Sequence, residues 1–211
     1  MQIFYGITQR IVWLVTFICM RIFYKFSVTG KKNLKDISTP LLVISNHKSY
    51  WDSMILGTLF PFFSNKYLPL GFMAGDKFFL NPFYNFFLTT TGVCHANKGK
   101  GLDTSLKDFR SILLNKGVVI IFPYGKMVSD DNARPVPGRG ASTLVQEFNN
   151  LTILPIFLQT VGKIKFSAFL FGKKKMSVIV GNPYKITDAR NKNIDEISAI
   201  LVNSFHILNK K

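Results

Sequence analysis

The sequence predicts an α/β fold: a single domain with a mostly parallel central sheet flanked by helices, preceded by an N-terminal helical segment. Three observations carry this. Short apolar, β-branched runs alternate with longer segments of mixed polarity, as strands joined through helices into a parallel sheet require. A length of 211 residues suits one domain, and roughly 70% of the unfolded surface can be buried at that size. The opening stretch MQIFYGITQRIVWLVTFICMRIFYKF is nearly all apolar.

The opening segment comes first. Its uninterrupted apolar run, Ile11 to Met20, is bounded by Arg10 and Arg21. At about 1.5 Å per residue that run is too short to span a hydrocarbon layer of about 30 Å. Eleven helical residues turn through about 1100°, so the two arginines lie roughly 20° apart on one face. The remaining wide face carries Trp13, Phe17 and Phe23. The pattern suits a helix lying in a membrane interface, with its cations reaching headgroups. A spanning helix would need both arginines to snorkel, and a buried helix would have to hide them. A signal peptide would start with basic residues. We assign residues 1–28 to a membrane-interfacial helical segment and 29–211 to the main domain. Lys25, Lys31, Lys32 and Lys35 follow; they place the main domain on the cytoplasmic face.

Along the main domain, strands are predicted at 41–45 (LLVIS), 71–74, 92–96, 118–122 (VVIIF), 153–158 (ILPIFL), 165–171 and 176–181. The last two lie close together, joined through GKKK, and read as an antiparallel hairpin. Helices are predicted at 51–60, 80–90, 102–115, 139–149 and 193–207. The 102–115 segment is clear: Leu102, Leu106, Phe109, Leu113 and Leu114 recur at helical spacing, and Gly117 follows. Two polar stretches, SNHKSYWDS (45–53) and the long loop FPYGKMVSDDNARPVPGRGAS (122–142), follow strong strands. Both should open onto the edge of the sheet where ligands gather.

The charge is lopsided, with 27 Lys+Arg against 11 Asp+Glu and a net charge of +16. Such a surface attracts polyanions. With 47% hydrophobic residues and 21 Phe, the composition points to anionic lipid rather than nucleic acid; a compositional bias across the genome is the plainer source of the same numbers. Cys19 and Cys94 make no disulfide framework, which fits a reduced compartment.

His47 and Asp52 are the candidates to carry the chemistry. On a continuous helix residues five apart do not face each other. The two can meet only if His47 sits in the turn before a helix whose first turn holds Asp52. A carboxylate then orients one imidazole nitrogen and leaves the other to take a proton from a hydroxyl. Taken alone, the pair is equally a capping residue and an acid placed at a helix start. Cys94 and His95 are adjacent in a predicted strand, point to opposite faces, and do not make a thiol nucleophile. His206 is predicted to be structural or exposed.

The surrounding blocks decide between these readings. NHKSYWDS, GFMAGDKFFLNPFYNFFLTTTGVCHANKG, VVIIFPYGKM and ILPIFL, with the closing VIVGNPYKI, resemble in order the blocks of the glycerolipid acyltransferase family. Its best-known members are the 1-acylglycerol-3-phosphate (lysophosphatidate) acyltransferases. The resemblance spans about residues 28 to 185. It implies an O-acyltransferase that moves a fatty acyl group from acyl-CoA or acyl-carrier protein to the hydroxyl of a lyso-glycerolipid, giving phosphatidate from 1-acylglycerol 3-phosphate. It implies His47 as general base held by Asp52, no acyl-enzyme, no metal, no cofactor beyond the acyl donor, and a bilayer as partner.

This sequence departs from the family pattern in two blocks. The second block's usual Asp-Arg is Asn97-Lys98, and lysine lacks the bidentate fork that suits phosphate. The third block's usual Phe-Pro-Glu-Gly-Thr-Arg reads Phe-Pro-Tyr124-Gly125-Lys126-Met127. Lys98, Tyr124, Gly125, Lys126 and Arg139 are the candidates for holding the acceptor. Lys77, Lys98, Lys126 and Arg139 replace the missing arginine if they converge. Two alternatives stay open: the same reaction on another acceptor, such as a lyso-ornithine lipid or a lysophospholipid, and a non-catalytic membrane-binding homologue.

Overall fold

The computed structural model describes residues 2–128, 130, 132–160 and 174–210. In chain order the elements are α1 (Gln2–Phe23), β1 (Tyr24–Thr29), β2 (Leu41–Ser45), α2 (Asp52–Gly57), β3 (Leu70–Gly71), β4 (Met73–Ala74), α3 (Pro82–Thr90), β5 (Cys94–His95), α4 (Leu102–Leu114), β6 (Val118–Ile121), α5 (Gly140–Glu147), β7 (Thr152–Thr160), β8 (Lys174–Val180) and α6 (Ile194–His206). Six strands form the main sheet in the order β1-β8-β7-β2-β6-β3; β4 and β5 pair separately. Every pairing is parallel except β7 with β8. The predicted α/β class is the observed one.

The central strand explains itself. β2 lies between β6 and β7, and all five of its residues are buried. A strand covered on both faces has no polar side, hence the unbroken LLVIS. Leu41 and Val43 point into one core with α1 and α2 residues such as Met20, Ile55 and Leu56. Leu42 and Ile44 point into a second core with Phe109 of α4, Leu144 of α5, and Leu201 and Phe205 of α6. The molecule is therefore a helix–sheet–helix sandwich, and its interior alternates along each strand.

The structure differs from the sequence reading at several places. Tyr24–Thr29 is a strand, β1, parallel to β8; the reading had run its helical segment through these residues. GFMA, read as one strand, divides at Phe72, with Gly71 in the main sheet and Met73 in the small one. The predicted strand 165–171 lies outside the described residues. The hairpin predicted between that strand and 176–181 therefore lies outside them too; β8 pairs antiparallel with β7 and parallel with β1.

Helix α1 is turned inside out. Gln9 is buried, donating from Nε2 to the carbonyls of Leu70 and Thr91 at 2.9 Å each, and accepting from Leu70 N–H at 2.7 Å. Arg10 donates to the Phe62 carbonyl (2.9 Å) and Asn65 Oδ1 (2.7 Å), and Trp13 Nε1 to the Phe60 carbonyl (3.0 Å). Phe4, Ile7, Ile11, Leu14, Val15, Ile18 and Ile22 are exposed instead. Their spacing of three and four makes one continuous apolar stripe. The helix runs straight through both arginines, so Phe4–Phe23 is long and apolar enough to cross a membrane by length and composition. Alongside it, Leu80 and, on α3, Phe83, Tyr84 and Phe86 are also exposed; Thr8 of α1 donates to the Thr90 carbonyl at 2.6 Å.

Candidate active site

β2 and β6 run parallel, with Ile44 opposite Ile121. The polar stretches that follow them leave the sheet side by side, where a crevice forms at strand C-termini. Asn46, 5% exposed, fixes the exit of β2: its amide donates to the Leu158 carbonyl (2.9 Å) and accepts from Leu158 N–H (2.7 Å). The side chain thus continues the ladder to β7 for one more step. His47 comes next, in the turn.

Asp52 opens α2 and is 1% exposed. Its Oδ2 accepts from Lys48 N–H (2.5 Å) and Ser49 N–H (2.8 Å), and lies 2.8 Å from His47 Nδ1. Its Oδ1 accepts from Ser49 Oγ at 2.6 Å. An oxygen that receives two backbone N–H groups acts as an acceptor, so Nδ1 is the donor toward it. That assignment leaves Nε2 with its lone pair. Nothing among the described residues hydrogen-bonds Nε2, and the imidazole is 19% exposed. Its other face stacks on Phe122, with ring centroids 4.1 Å apart and planes 12° apart. The ring is fixed in position, tautomer and tilt, and one nitrogen is left to solvent.

The third block wraps this ring. Phe122 is its platform, and Val128 N–H donates to the His47 carbonyl at 2.7 Å. Gly125 sits at φ +59° with nothing within 4 Å of where a Cβ would stand, so the turn needs glycine for its backbone and not for space. Lys98 reaches across from the second block, and its Nζ donates to the Gly125 carbonyl at 3.3 Å. Asp76 holds that second-block turn by accepting from the N–H groups of Asn97 and Lys98 at 3.2 Å each. Burial pushes Asp76 up, but those two bonds and the neighbouring His95 outweigh it and hold the carboxyl below its usual value.

The other candidates lie differently. Tyr124 turns inward: it is 7% exposed, and its hydroxyl shares a 2.7 Å hydrogen bond with Nε2 of His206, itself buried on α6. Burial raises the Tyr124 phenol above its ordinary value, against a smaller opposite pull from Arg134. Lys126 is exposed. Arg139 immediately precedes α5, and its side chain is exposed and 3.9 Å from Asp195 of α6. Lys77 lies over the Phe78 ring. Of the four cations asked to converge, Lys126 belongs to the third block and Lys98 reaches it; among the described residues no hydrogen bond or ion pair ties Lys77 or Arg139 to it. Burial, with Asp108 beside it, pushes the Cys94 thiol up to about 12, away from the thiolate that nucleophilic attack needs. His206 is structural. The sequence reading missed Asn46, Phe122 as a platform, Ser49 and Asp76. The polar pair before His47 hinted at the first; the others act only through the fold.

Residues 25–159 match the sequence model of the family described as Acyltransferase. The chain is 26% identical over 144 residues to chloroplastic 1-acyl-sn-glycerol-3-phosphate acyltransferases of Arabidopsis thaliana and Brassica napus. Those stretches cover 67% of this chain but only 38% and 39% of the plant proteins. The crystal structure of the 1-acyl-sn-glycerophosphate acyltransferase PlsC from Thermotoga maritima is similar in fold, with a TM-score of 0.68 at 13% identity, covering 96% of this chain and 78% of that one.

Proposed function

The chain belongs to the acyltransferase family, and on that premise we propose that it is a membrane-associated O-acyltransferase of the glycerolipid type. Its acceptor is 1-acylglycerol 3-phosphate, as the names of the plant relatives suggest, and its product is phosphatidate. The observation that carries the reading is the His47–Asp52 pair, with Nδ1 committed to the carboxylate and Nε2 open.

In the proposed reaction His47 Nε2 takes the proton of the acceptor hydroxyl. The oxygen attacks the thioester carbonyl of acyl-CoA or acyl-carrier protein. The tetrahedral intermediate expels the thiolate, which recovers the proton from the imidazolium, and the ester C–O bond replaces the C–S bond. Asp52 supports the transient cation. No acyl-enzyme forms, and the raised Cys94 thiol takes no part. On this reading Lys98, beside the third-block turn at Gly125, supplies positive charge for the acceptor's phosphate, and Lys126 and Arg139 are the further candidates.

The outward apolar stripe of α1 and the aromatic face of α3 support membrane association. The polar ties of Gln9, Arg10 and Trp13 to the domain hold α1 alongside it, which favours a helix lying in the interface. Helix α1 then serves as the membrane segment; β1, which the 1–28 boundary had largely taken in, belongs to the main sheet, so the acyltransferase domain begins at Tyr24 and lies on the cytoplasmic face. One observation favours a second reading with a different acceptor headgroup: Tyr124 faces the core and Met127 is exposed, where the family pattern has Glu and Arg.

The test is acyl transfer by wild type and His47→Ala in vesicles, with labelled acyl-CoA and acyl-carrier protein and a panel of lyso-lipids. Product that disappears in the variant supports the reading, and the preferred acceptor chooses between phosphate and another headgroup. Equal product from folded His47→Ala protein overturns it.

A further inference from the structure

A cleft of about 910 Å³ opens between α1 and the turn that follows β1. β1 is parallel to β8, β8 antiparallel to β7, and β7 parallel to β2. β1 therefore runs against β2, and its end, with the cleft, lies at the sheet edge opposite His47. None of the residues that line it is among those assigned to the acyl-transfer site.

Its lining is amphipathic. Phe17 of α1, Phe26 of β1 and Leu59 after α2 give it an apolar interior. Arg21, Lys31, Lys35 and Lys66 stand around them, against one carboxylate, Asp36. None of the four cations is in an ion pair among the described residues. Two lie over aromatic rings, Arg21 at 4.8 Å from the Phe17 centroid and Lys66 at 5.1 Å from that of Tyr67. Four cations against one carboxylate around an apolar cavity fit a ligand that is anionic at one end and hydrocarbon at the other. A free phosphate would leave the apolar part of the cavity unfilled; a lipid headgroup with its first methylenes suits a cavity in the size range of small-molecule sites.

Access matches that ligand. On α1, Arg21 lies about 60° around the helix from Ile18 and about 100° from Ile22, both of the exposed apolar stripe. The mouth of the cleft thus adjoins the face assigned above to the bilayer. A lipid can enter sideways, leaving its chains among their neighbours.

We propose that this cleft is a binding site for one anionic glycerophospholipid of the phosphatidate class, separate from the acyl-transfer site. Its phosphate sits on Arg21, Lys31, Lys35 and Lys66, and its first acyl carbons on Phe17, Phe26 and Leu59. The proposal rests on the membrane reading of α1 and not on the acyl-transfer reading.

The experiment uses the full chain carrying His47→Ala in neutral detergent, titrated calorimetrically with dioctanoyl phosphatidic acid, so that turnover does not enter. The same chain with Lys31→Glu and Lys35→Glu added should lose one bound equivalent, or bind it at least about tenfold more weakly, since each lysine contributes about 1 kcal/mol near an anionic lipid. Lys66→Glu alone should weaken the same equivalent, which guards against misfolding of the double variant. Dioctanoyl phosphatidylcholine should not fill the site. Equal stoichiometry and affinity in the charge-reversed proteins, equal binding of the zwitterionic lipid, or full competition by inorganic phosphate at similar affinity overturns the proposal. Acyl transfer by Lys31→Glu/Lys35→Glu in detergent should stay within about twofold of wild type. Lack of transfer by wild type itself bears on the proposed reaction and leaves the binding result standing.

Discussion

Replacing Asp52 by asparagine separates the charge of the dyad from its geometry. Oδ2 receives three N–H groups, from His47, Lys48 and Ser49, whereas among the described residues Oδ1 receives the Ser49 hydroxyl alone. Asparagine has one acceptor oxygen. Three donors against one hydroxyl, which can turn and accept instead, set that oxygen in the place of Oδ2 and the amide NH₂ against Ser49 Oγ. The turn, the Nδ1–H tautomer and the ring position survive, and the negative charge is lost. Unit charges about 4 Å apart interact by about 4 kcal/mol at an effective dielectric of 20. The imidazole is partly exposed, so we expect about 2–4 kcal/mol to be lost from the transition state, or roughly 30- to 1000-fold in kcat. The Tm should move by no more than a few degrees.

Asp52→Ala is the control. It removes the acceptor from two backbone N–H groups beside a buried position, at about 1–3 kcal/mol each. For a chain of this size each kcal/mol lowers Tm by roughly 2–4 °C. Steady-state turnover and scanning fluorimetry on both variants check the argument. Asparagine turnover within about threefold of wild type, or a Tm that falls as far as that of the alanine variant, refutes it.

Three further outcomes are expected. Tyr124→Phe breaks the buried bond to His206, at about 1–3 kcal/mol, and should lower Tm by roughly 2–12 °C; an unchanged Tm would show that this tie holds nothing. In a Cys19→Ala background, iodoacetamide should modify Cys94 in the native protein about 1000-fold more slowly than in denaturant at pH 8, because its thiol is pushed up to about 12 from an ordinary value near 8.5; matching rates would contradict this. Asp76 is held below its usual value, so its contribution to stability is complete above about pH 4 and is lost as pH falls through the lowered value. Tm should therefore fall as pH drops below about 4, and fall less in Asp76→Asn; parallel curves would deny the second-block turn its clamp.

The fold was legible wherever burial imposes a simple pattern. β2 and β6 are covered on both faces, and α4 on one, and their sequences say so. β1 was hidden because YKFSVT continues an apolar helical run without a break, and its alternation of buried and exposed residues is set by pairing with β8, some 150 residues away. GFMA reads as one strand because nothing local marks the bend at Phe72 that shares it between two sheets.

The site divides along the same line. His47 and Asp52 were legible because the turn that joins them is local and its geometry follows from five residues. The groups that hold the ring come from far along the chain. Phe122 arrives on the neighbouring parallel strand, and Asn46 finds its partner 112 residues on. Tyr124 shows the consequence most clearly. In the sequence it is a third-block residue where the family has an acid, so it reads as facing the acceptor. In the fold a tyrosine at that position has its phenol satisfied by His206, 82 residues on. With the hydroxyl spent in the core, the block's exposed chemistry falls to Gly125, its neighbour Lys126 and the lysine that reaches it, Lys98. On the proposed reading, any change of acceptor in this chain is therefore to be sought in this block, where lysines and a backbone turn stand in place of the family's glutamate and arginine.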